Sequence, residues 1–555
     1  MRYPVIHATG KQSTWLGLLL GSLGFWLLPT FSITSPATAA ERIYASYAAL
    51  ERSIPVAALE TYAKEGKLNE ELAVYAQYVS PQRMAQLRRV LLTRVDLSPV
   101  AISQFLYTPS GERLLERLGE VIQTEKRQPG FYAIRSALIL AAADPEGLTL
   151  LNVLRKFPTR GIRIDLGRSL QITEELQRLI NQTNQTSALV AQQSIAEATA
   201  APVRVNFSQL PDLRRRGQFT WNKKTLNLYD YRRARAFLAD IYLPVTSGPS
   251  PVIVISHGLG SQRASFEYLA TQLASYGFAV AVPQHPGSDA QQLRALLVGR
   301  ASELAAPNEF INRPLDVKYL LDELQRLDES DFWFQGRLNL QQVGVIGQSF
   351  GGYTALALVG ASINFDQLQK DCKALNDSWN VSLVLQCRAL ELPRTQYNLR
   401  DERIKAAIAI NPIDSSILGE AGLSQIQVPV IIVSSSADTI APPLSEQILP
   451  FTWLTTADKY LVLLQGGTHF STIGETAPGT DAFVIPPQVI GPDPAIARRY
   501  MNALSVAFFQ TYVAGNPQYR PYLSAAYAQA ISQAPLGLSL VQYLPANQLT
   551  QVNNR

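Results

Sequence analysis

Two kinds of apolar patterning divide the chain. From about Glu41 to Gln193 the apolar positions keep helical spacing. Leu114, Leu115, Leu118, Val121 and Ile122 fall on one helix face, and Ile172, Leu176, Leu179 and Ile180 repeat the signal. Asp96-Leu97-Ser98-Pro99 and Ser110-Gly111-Glu112 read as cap and turn signals between helices. The pattern predicts a separate all-helical domain over residues 41–195, either an accessory or cap domain or a purely structural partner. A polar, Ala-rich stretch with Asn181-Gln182-Thr183 repeated as Asn184-Gln185-Thr186 then reads as a helix running into a linker over 196–218.

From Phe219 onward the period changes. Phe219 to Tyr229 and Ala236 to Leu243 read as an antiparallel sheet edge. Short apolar runs at Val252 to Ile255, Val343 to Ile346, Ala406 to Ile410, Val430 to Val433 and Leu461 to Leu464 read as buried strands. Helix faces separate them, with Phe266, Leu269, Ala270 and Leu273 on one and Val317, Leu320, Leu321 and Leu324 on another. This alternation predicts an α/β layered fold with a mostly parallel central sheet over residues 219–555. Asp493-Pro494 predicts the start of a last helix through Phe508. Two stretches interrupt the core, at about 286–312 and 363–403. Such excursions sit above the strand ends, where ligands bind, so they are expected to wall or cap a pocket. Trp379, Leu383, Val384 and Leu385 fit either an acyl-site lining or the core of a small subdomain.

A chain of 555 residues exceeds the usual size of one domain, and a 47% hydrophobic, 17% charged composition describes a globular protein with a large core. The net charge of +5 is too small for a nucleic-acid binder of this length. Basic residues are densest at Arg214-Arg215-Arg216 and at Arg232, Arg233 and Arg235. They read as solvated linker and hairpin charges, with peripheral contact to an anionic membrane as the alternative. Residues 1–40 have the layout of a cleaved export signal: Arg2 and Lys11, an apolar run from Trp15 to Leu28, and Pro36-Ala37-Thr38-Ala39-Ala40. Export is therefore expected. In that setting the two cysteines, Cys372 and Cys387, are expected to form a local disulfide. The His and Cys content offers no zinc-binding cluster, and no cofactor is expected.

The chemistry concentrates at Gly347-Gln348-Ser349-Phe350-Gly351. It joins an apolar strand to an apolar helix, a setting that holds a serine on a strained corner with its hydroxyl exposed. A serine hydroxyl needs a base. Of four histidines, His7 lies in the targeting segment, His257 and His285 precede Ser349, and His469 alone follows it, after a buried strand. The order Ser, acid, His then asks for an acid between them. Asp438, in the loop after Val430 to Val433, is the first candidate, and Asp414, past the preceding strand, is the alternative. The Phe350 and Leu259 backbone N–H groups are the expected oxyanion donors, with His257 bracing the second loop.

On these motifs the region from about Phe219 to Phe509 resembles an α/β-hydrolase, a serine esterase or lipase. Gly347-Gln348-Ser349-Phe350-Gly351-Gly352 is similar to the corresponding turn of platelet-activating-factor acetylhydrolases. Asp438-Thr439-Ile440-Ala441-Pro442 and Gly467-Thr468-His469-Phe470 look like the acid and histidine loops of bacterial cutinases and polyester hydrolases. The acetylhydrolase acid position falls near Asn411, which carries no carboxylate, and this favours Asp438. The helical region resembles a domain of unknown function found ahead of the hydrolase in some cyanobacterial proteins. The resemblance implies a small ester or lipid substrate of short or medium acyl length. A prolyl-oligopeptidase-like peptidase, an acyltransferase and a non-catalytic binding protein are the competing readings. No repeat suggests the propeller of the first of these.

Overall fold

The computed structural model describes residues 39–48, 50–201, 205–375, 378–475, 487–545 and 549. Most of the expected export signal lies outside them. The region expected to be all-helical carries a four-stranded sheet. Its strands are β1 (Arg42–Tyr47), β2 (Leu50–Pro55), β3 (Ile122–Thr124) and β4 (Gly161–Asp165), in the order β2-β1-β4-β3. β1 pairs antiparallel with β2 and parallel with β4, so strands from the two ends of the region lie side by side. These strands have six residues or fewer and are half-exposed, so period-2 alternation is weak in the sequence. One helix between them starts at its predicted cap, Ser98, whereas Ser110-Gly111-Glu112 lies within the first turn of a helix that Thr108 caps. Ser98 and Thr108 each accept a bond from the backbone three residues on, with proline at the first helical position.

This region is not separate either, because residues 39–555 form one compact unit. Helix Leu166–Ala200 runs straight through the first residues of the expected linker. Near its end, Ser194 and Glu197 accept bonds from the backbone of Leu540 and Gln542. Its expected apolar face is only partly used, since Leu176, Leu179 and Ile180 are exposed. Farther along, Leu213 is fully buried and Gln272 Nε2 donates to its carbonyl, so this part of the expected linker is anchored to the core. The Arg117 guanidinium lies 4.6 Å over the Trp379 ring, and Glu175 accepts from Trp379 Nε1 at 3.1 Å. The indole of the second insertion is thus held by N-terminal residues.

The central sheet follows. Its strands are β5 (Trp221–Asp230), β6 (Arg235–Pro244), β7 (Ser250–Ser256), β8 (Ala279–Pro283), β9 (Leu338–Gln348), β10 (Ile404–Ile410), β11 (Val430–Ser435), β12 (Lys459–Gln465) and β13 (Gly537–Val541). Their order is β13-β12-β11-β10-β9-β7-β8-β6-β5. The strands from β12 to β8 pair in parallel, and β13, β6 and β5 add antiparallel edges. Side chains alternate between two buried faces. Val252, Val254, Val343 and Val345 meet helices Glu309–Ser330 and Phe350–Leu358, whereas Ile253, Ile255 and Ile346 meet helices Glu267–Ser275 and Pro494–Tyr512. Asp493 caps the last of these helices from ahead of its proline, as the sequence predicts. β13 is absent from the sequence reading, because the antiparallel partner it needs lies far back along the chain.

Because β7, β9, β10, β11 and β12 run the same way, the loops after them open at one end of the sheet. The second insertion holds helices Phe365–Cys372 and Ser382–Gln386, joined by a Cys372–Cys387 disulfide. The bridge closes a short loop, and its main effect is to limit the unfolded chain. Replacing both cysteines by serine is expected to lower unfolding free energy by about 2–3 kcal/mol. Urea denaturation of the oxidised protein and the double variant measures it.

Candidate active site

Ser349 sits where β9 turns into helix Phe350–Leu358, with φ 56° and ψ −117°. A non-glycine residue pays for such a backbone, so the surroundings must hold it there. Ser349 N–H donates to Ile410 O at 2.8 Å, and its carbonyl accepts from Gly352 N and Tyr353 N. Steric need explains the glycines on either side. A Cβ on Gly347 would lie 1.7 Å from Gly351 O, and one on Gly351 would lie 2.1 Å from Ser256 O.

The parallel sheet brings three strand ends to this corner. His469 Nε2 lies 2.8 Å from Ser349 Oγ. On the other side of the ring, Nδ1 lies 2.6 Å from Asp438 Oδ2. A carboxylate only accepts, so Nδ1 carries the proton and Nε2 faces the hydroxyl as an acceptor. The second Asp438 oxygen accepts from Ile440 and Ala441 N–H, both at 2.8 Å. The aspartate thus organises its own turn and the imidazole together. All three residues are nearly buried, with exposures of 8%, 5% and 4% for Ser349, Asp438 and His469. The arrangement can deprotonate the hydroxyl and shelter the imidazolium that results.

Asp414 takes no part in this chain. It is fully buried, and neither carboxyl oxygen has a hydrogen-bond partner. Burial, reinforced by the Glu446 charge, pushes its carboxyl well above the usual carboxylate range. Several donors of this region serve Glu446 instead. It accepts from the Asp414 and Ser415 N–H groups, the Ser415 hydroxyl, Gln386 Nε2 and Asn380 Nδ2. Asn411, at the position where a related family would keep its acid, has φ 43°. Its side-chain amide donates to Ser435 Oγ and Thr468 O, which ties the end of β11 to the histidine loop. Gln348 Nε2 donates to His469 O at 3.1 Å and steadies the same loop. Sequence reasoning assigned no role to Gln348 or Glu446.

The Leu259 loop lies against the nucleophile strand. A Cβ on Gly258 would come 2.3 Å from Gln348 Oε1. Among the described residues the Leu259 and Phe350 N–H groups donate to no protein acceptor. His257 is fully buried, with Nδ1 2.8 Å from Gly258 O and Nε2 accepting from His285 N–H. Burial, with the nearby Arg313 charge, drives its pKa far down, so the ring is neutral and bracing.

A second Ser-His-Asp chain exists beneath the loop. Ser256 Oγ lies 3.0 Å from His285 Nε2, and His285 Nδ1 lies 3.0 Å from Asp316 Oδ2. All three residues have zero exposure, which denies them a substrate. Asp316 also receives Arg233 and Arg235, and Arg235 pairs with Glu309. This corrects the sequence reading of these arginines as solvated hairpin charges. Their partners lie far along the chain, on helix Glu309–Ser330, so the sequence shows the cations without their anions.

Comparison with known families agrees with this layout. Residues 39–165 match a family described as alpha/beta hydrolase of unknown function (DUF1400). Residues 240–303 match platelet-activating factor acetylhydrolase, isoform II. The fold is that of an α/β-hydrolase. Both matches are to hydrolase families and support a hydrolase, the second an esterase-type one. The acetylhydrolase match covers β7, β8 and the Leu259 loop of this hydrolase, whereas the first match falls on the N-terminal sheet and helices.

Asp414 in this hydrolase has a raised pKa, so its favourable contribution is complete below pH about 4 and is lost as pH rises through the folded value. Within that window wild-type stability should fall by about 1.4 kcal/mol per pH unit from this group. Asp414→Asn should remove that slope, so its advantage over wild type widens as pH rises. Denaturant unfolding of both proteins across the pH range checks it.

Proposed function

We propose that this protein is a serine hydrolase of carboxylic esters, acting through an acyl-enzyme on Ser349. The observation that carries the reading is the continuous chain from Ser349 Oγ through His469 to Asp438, at 2.8 and 2.6 Å. In the first step Ser349 Oγ attacks the ester carbonyl while His469 Nε2 takes its proton. Asp438 balances the imidazolium charge. The Phe350 and Leu259 N–H groups receive the oxyanion, a role supported by their lack of protein acceptors. The alcohol departs with the proton from His469. Water, deprotonated by the same ring, then releases the acid and restores the hydroxyl.

A short or medium acyl ester is the proposed substrate class, on likeness to the acetylhydrolase family. Export is part of the proposal, supported by the layout of residues 1–40. N-terminal sequencing of the secreted protein should begin at Ala40 or Glu41.

Ser349→Ala is expected to lower kcat on nitrophenyl esters by about a millionfold, because the three residues act as a unit. Asp438→Asn should cost about ten-thousandfold. A fluorophosphonate should label the wild type on the peptide that contains Ser349. Turnover of aminoacyl nitroanilides in preference to esters would replace this reading with a peptidase. Unchanged turnover by Ser349→Ala would remove Ser349 as nucleophile.

A further inference from the structure

We propose that Arg313 is the positioning residue that holds the two oxyanion-binding backbone segments at their working separation. This rests on the ester hydrolase reading above. Arg313 lies on helix Glu309–Ser330 and is fully buried. Its planar guanidinium touches both segments at once. Toward the Leu259 loop, Nη2 donates to the His257 carbonyl and reaches Ser256 Oγ at 3.4 Å. Toward the nucleophile helix, Nε donates to Thr354 Oγ1 at 3.3 Å, and the guanidinium carbon lies 4.6 Å over the Phe350 ring. Nη1 donates to Ser288 Oγ at 2.9 Å, and Ser288 O in turn accepts from Gly260 N–H at 2.8 Å.

Peptide geometry turns these contacts into control of the free N–H groups. In a trans peptide the carbonyl and the N–H lie in one plane and point in opposite directions. Arg313 pulls the His257 carbonyl inward, and the His257 ring holds the Gly258 carbonyl. The Leu259 N–H shares its plane with the Gly258 carbonyl and so faces away from that ring. On the other side of the seam, Phe350 carries the second N–H and stacks under the same guanidinium. The two segments touch directly, since Gly351 has room for no Cβ beside the Ser256 and His257 carbonyls. A lysine cannot reproduce this grip, because its ammonium lacks the rigid fork and the flat face. Burial pulls the guanidinium down to about 9, with Glu309 and Asp316 opposing, so the group stays charged at neutral pH.

The test compares wild type with Arg313→Lys on p-nitrophenyl acetate, counting active sites by fluorophosphonate titration. The expected result is a fall of about 10- to 100-fold in kcat per titrated site, with KM within about threefold. The inhibition constant for phenylboronic acid, whose serine adduct is tetrahedral and anionic, should rise by a similar factor. A residue that only supports the fold would reduce the number of titrated sites and leave per-site kcat and boronate inhibition unchanged, and that result overturns the proposal. Should Arg313→Lys not fold, Thr354→Val, which removes one anchor at constant shape, is read by the same two measurements. There a parallel change of about 3- to 10-fold supports the proposal and no change overturns it. A wild type that neither turns over the ester nor reacts with fluorophosphonate defeats the hydrolase reading and this inference with it. A wild type that does both, beside an unaffected variant, defeats the inference alone.

Discussion

The backbone corner at Ser349 is the constraint on which the site depends. Its φ of 56° is unfavourable for a residue with a Cβ, at a cost of order 1–3 kcal/mol. The chain stays there because its alternatives are blocked. The N–H of Ser349 is bound to β10, its carbonyl is bound by the first turn of the following helix, and Gly347 and Gly351 press together without side chains. If the corner relaxed, the hydroxyl would leave the 2.8 Å contact with His469, and the strand ends would no longer share a reactive centre.

The same chemical groups do different work in two places, and burial decides which. Ser349, His469 and Asp438 form a hydrogen-bond chain that keeps slight exposure, whereas Ser256, His285 and Asp316 form one with none. In the second chain, burial and the charges of Arg313 and Arg235 hold the imidazole neutral. That chain is joined to a buried cluster of arginines and carboxylates, in which each cation meets an anion across the sheet edge. Such a cluster carries a large desolvation cost and is kept only where its hydrogen bonds are nearly complete. Here it lies beneath the loop that presents Leu259, and it gives that loop a rigid floor.

The two candidate acids show the same division. Asp438 has both oxygens occupied, one by its own turn and one by His469. Asp414, fully buried beside Glu446, finds no donor for either oxygen. Residue type and spacing along the chain were nearly equal for these two aspartates. Their hydrogen-bond partners separate them.

The sequence by itself determined five of the buried strands, the serine turn and the sole histidine able to follow it, because each rests on local patterning or on a count. It also indicated the cysteine pair, which the structure joins, and the cap of the last long helix. Folding decided the rest. Strands β3, β4 and β13 gain their bonds from distant partners, and the local pair β1 and β2 is short and half-exposed, so local periodicity could not reveal them. Arg233 and Arg235 resembled solvent-facing charges until helix Glu309–Ser330 supplied their carboxylates. Arg313 gave no signal at all, since its acceptors lie on separate elements that only the packed sheet brings to one guanidinium.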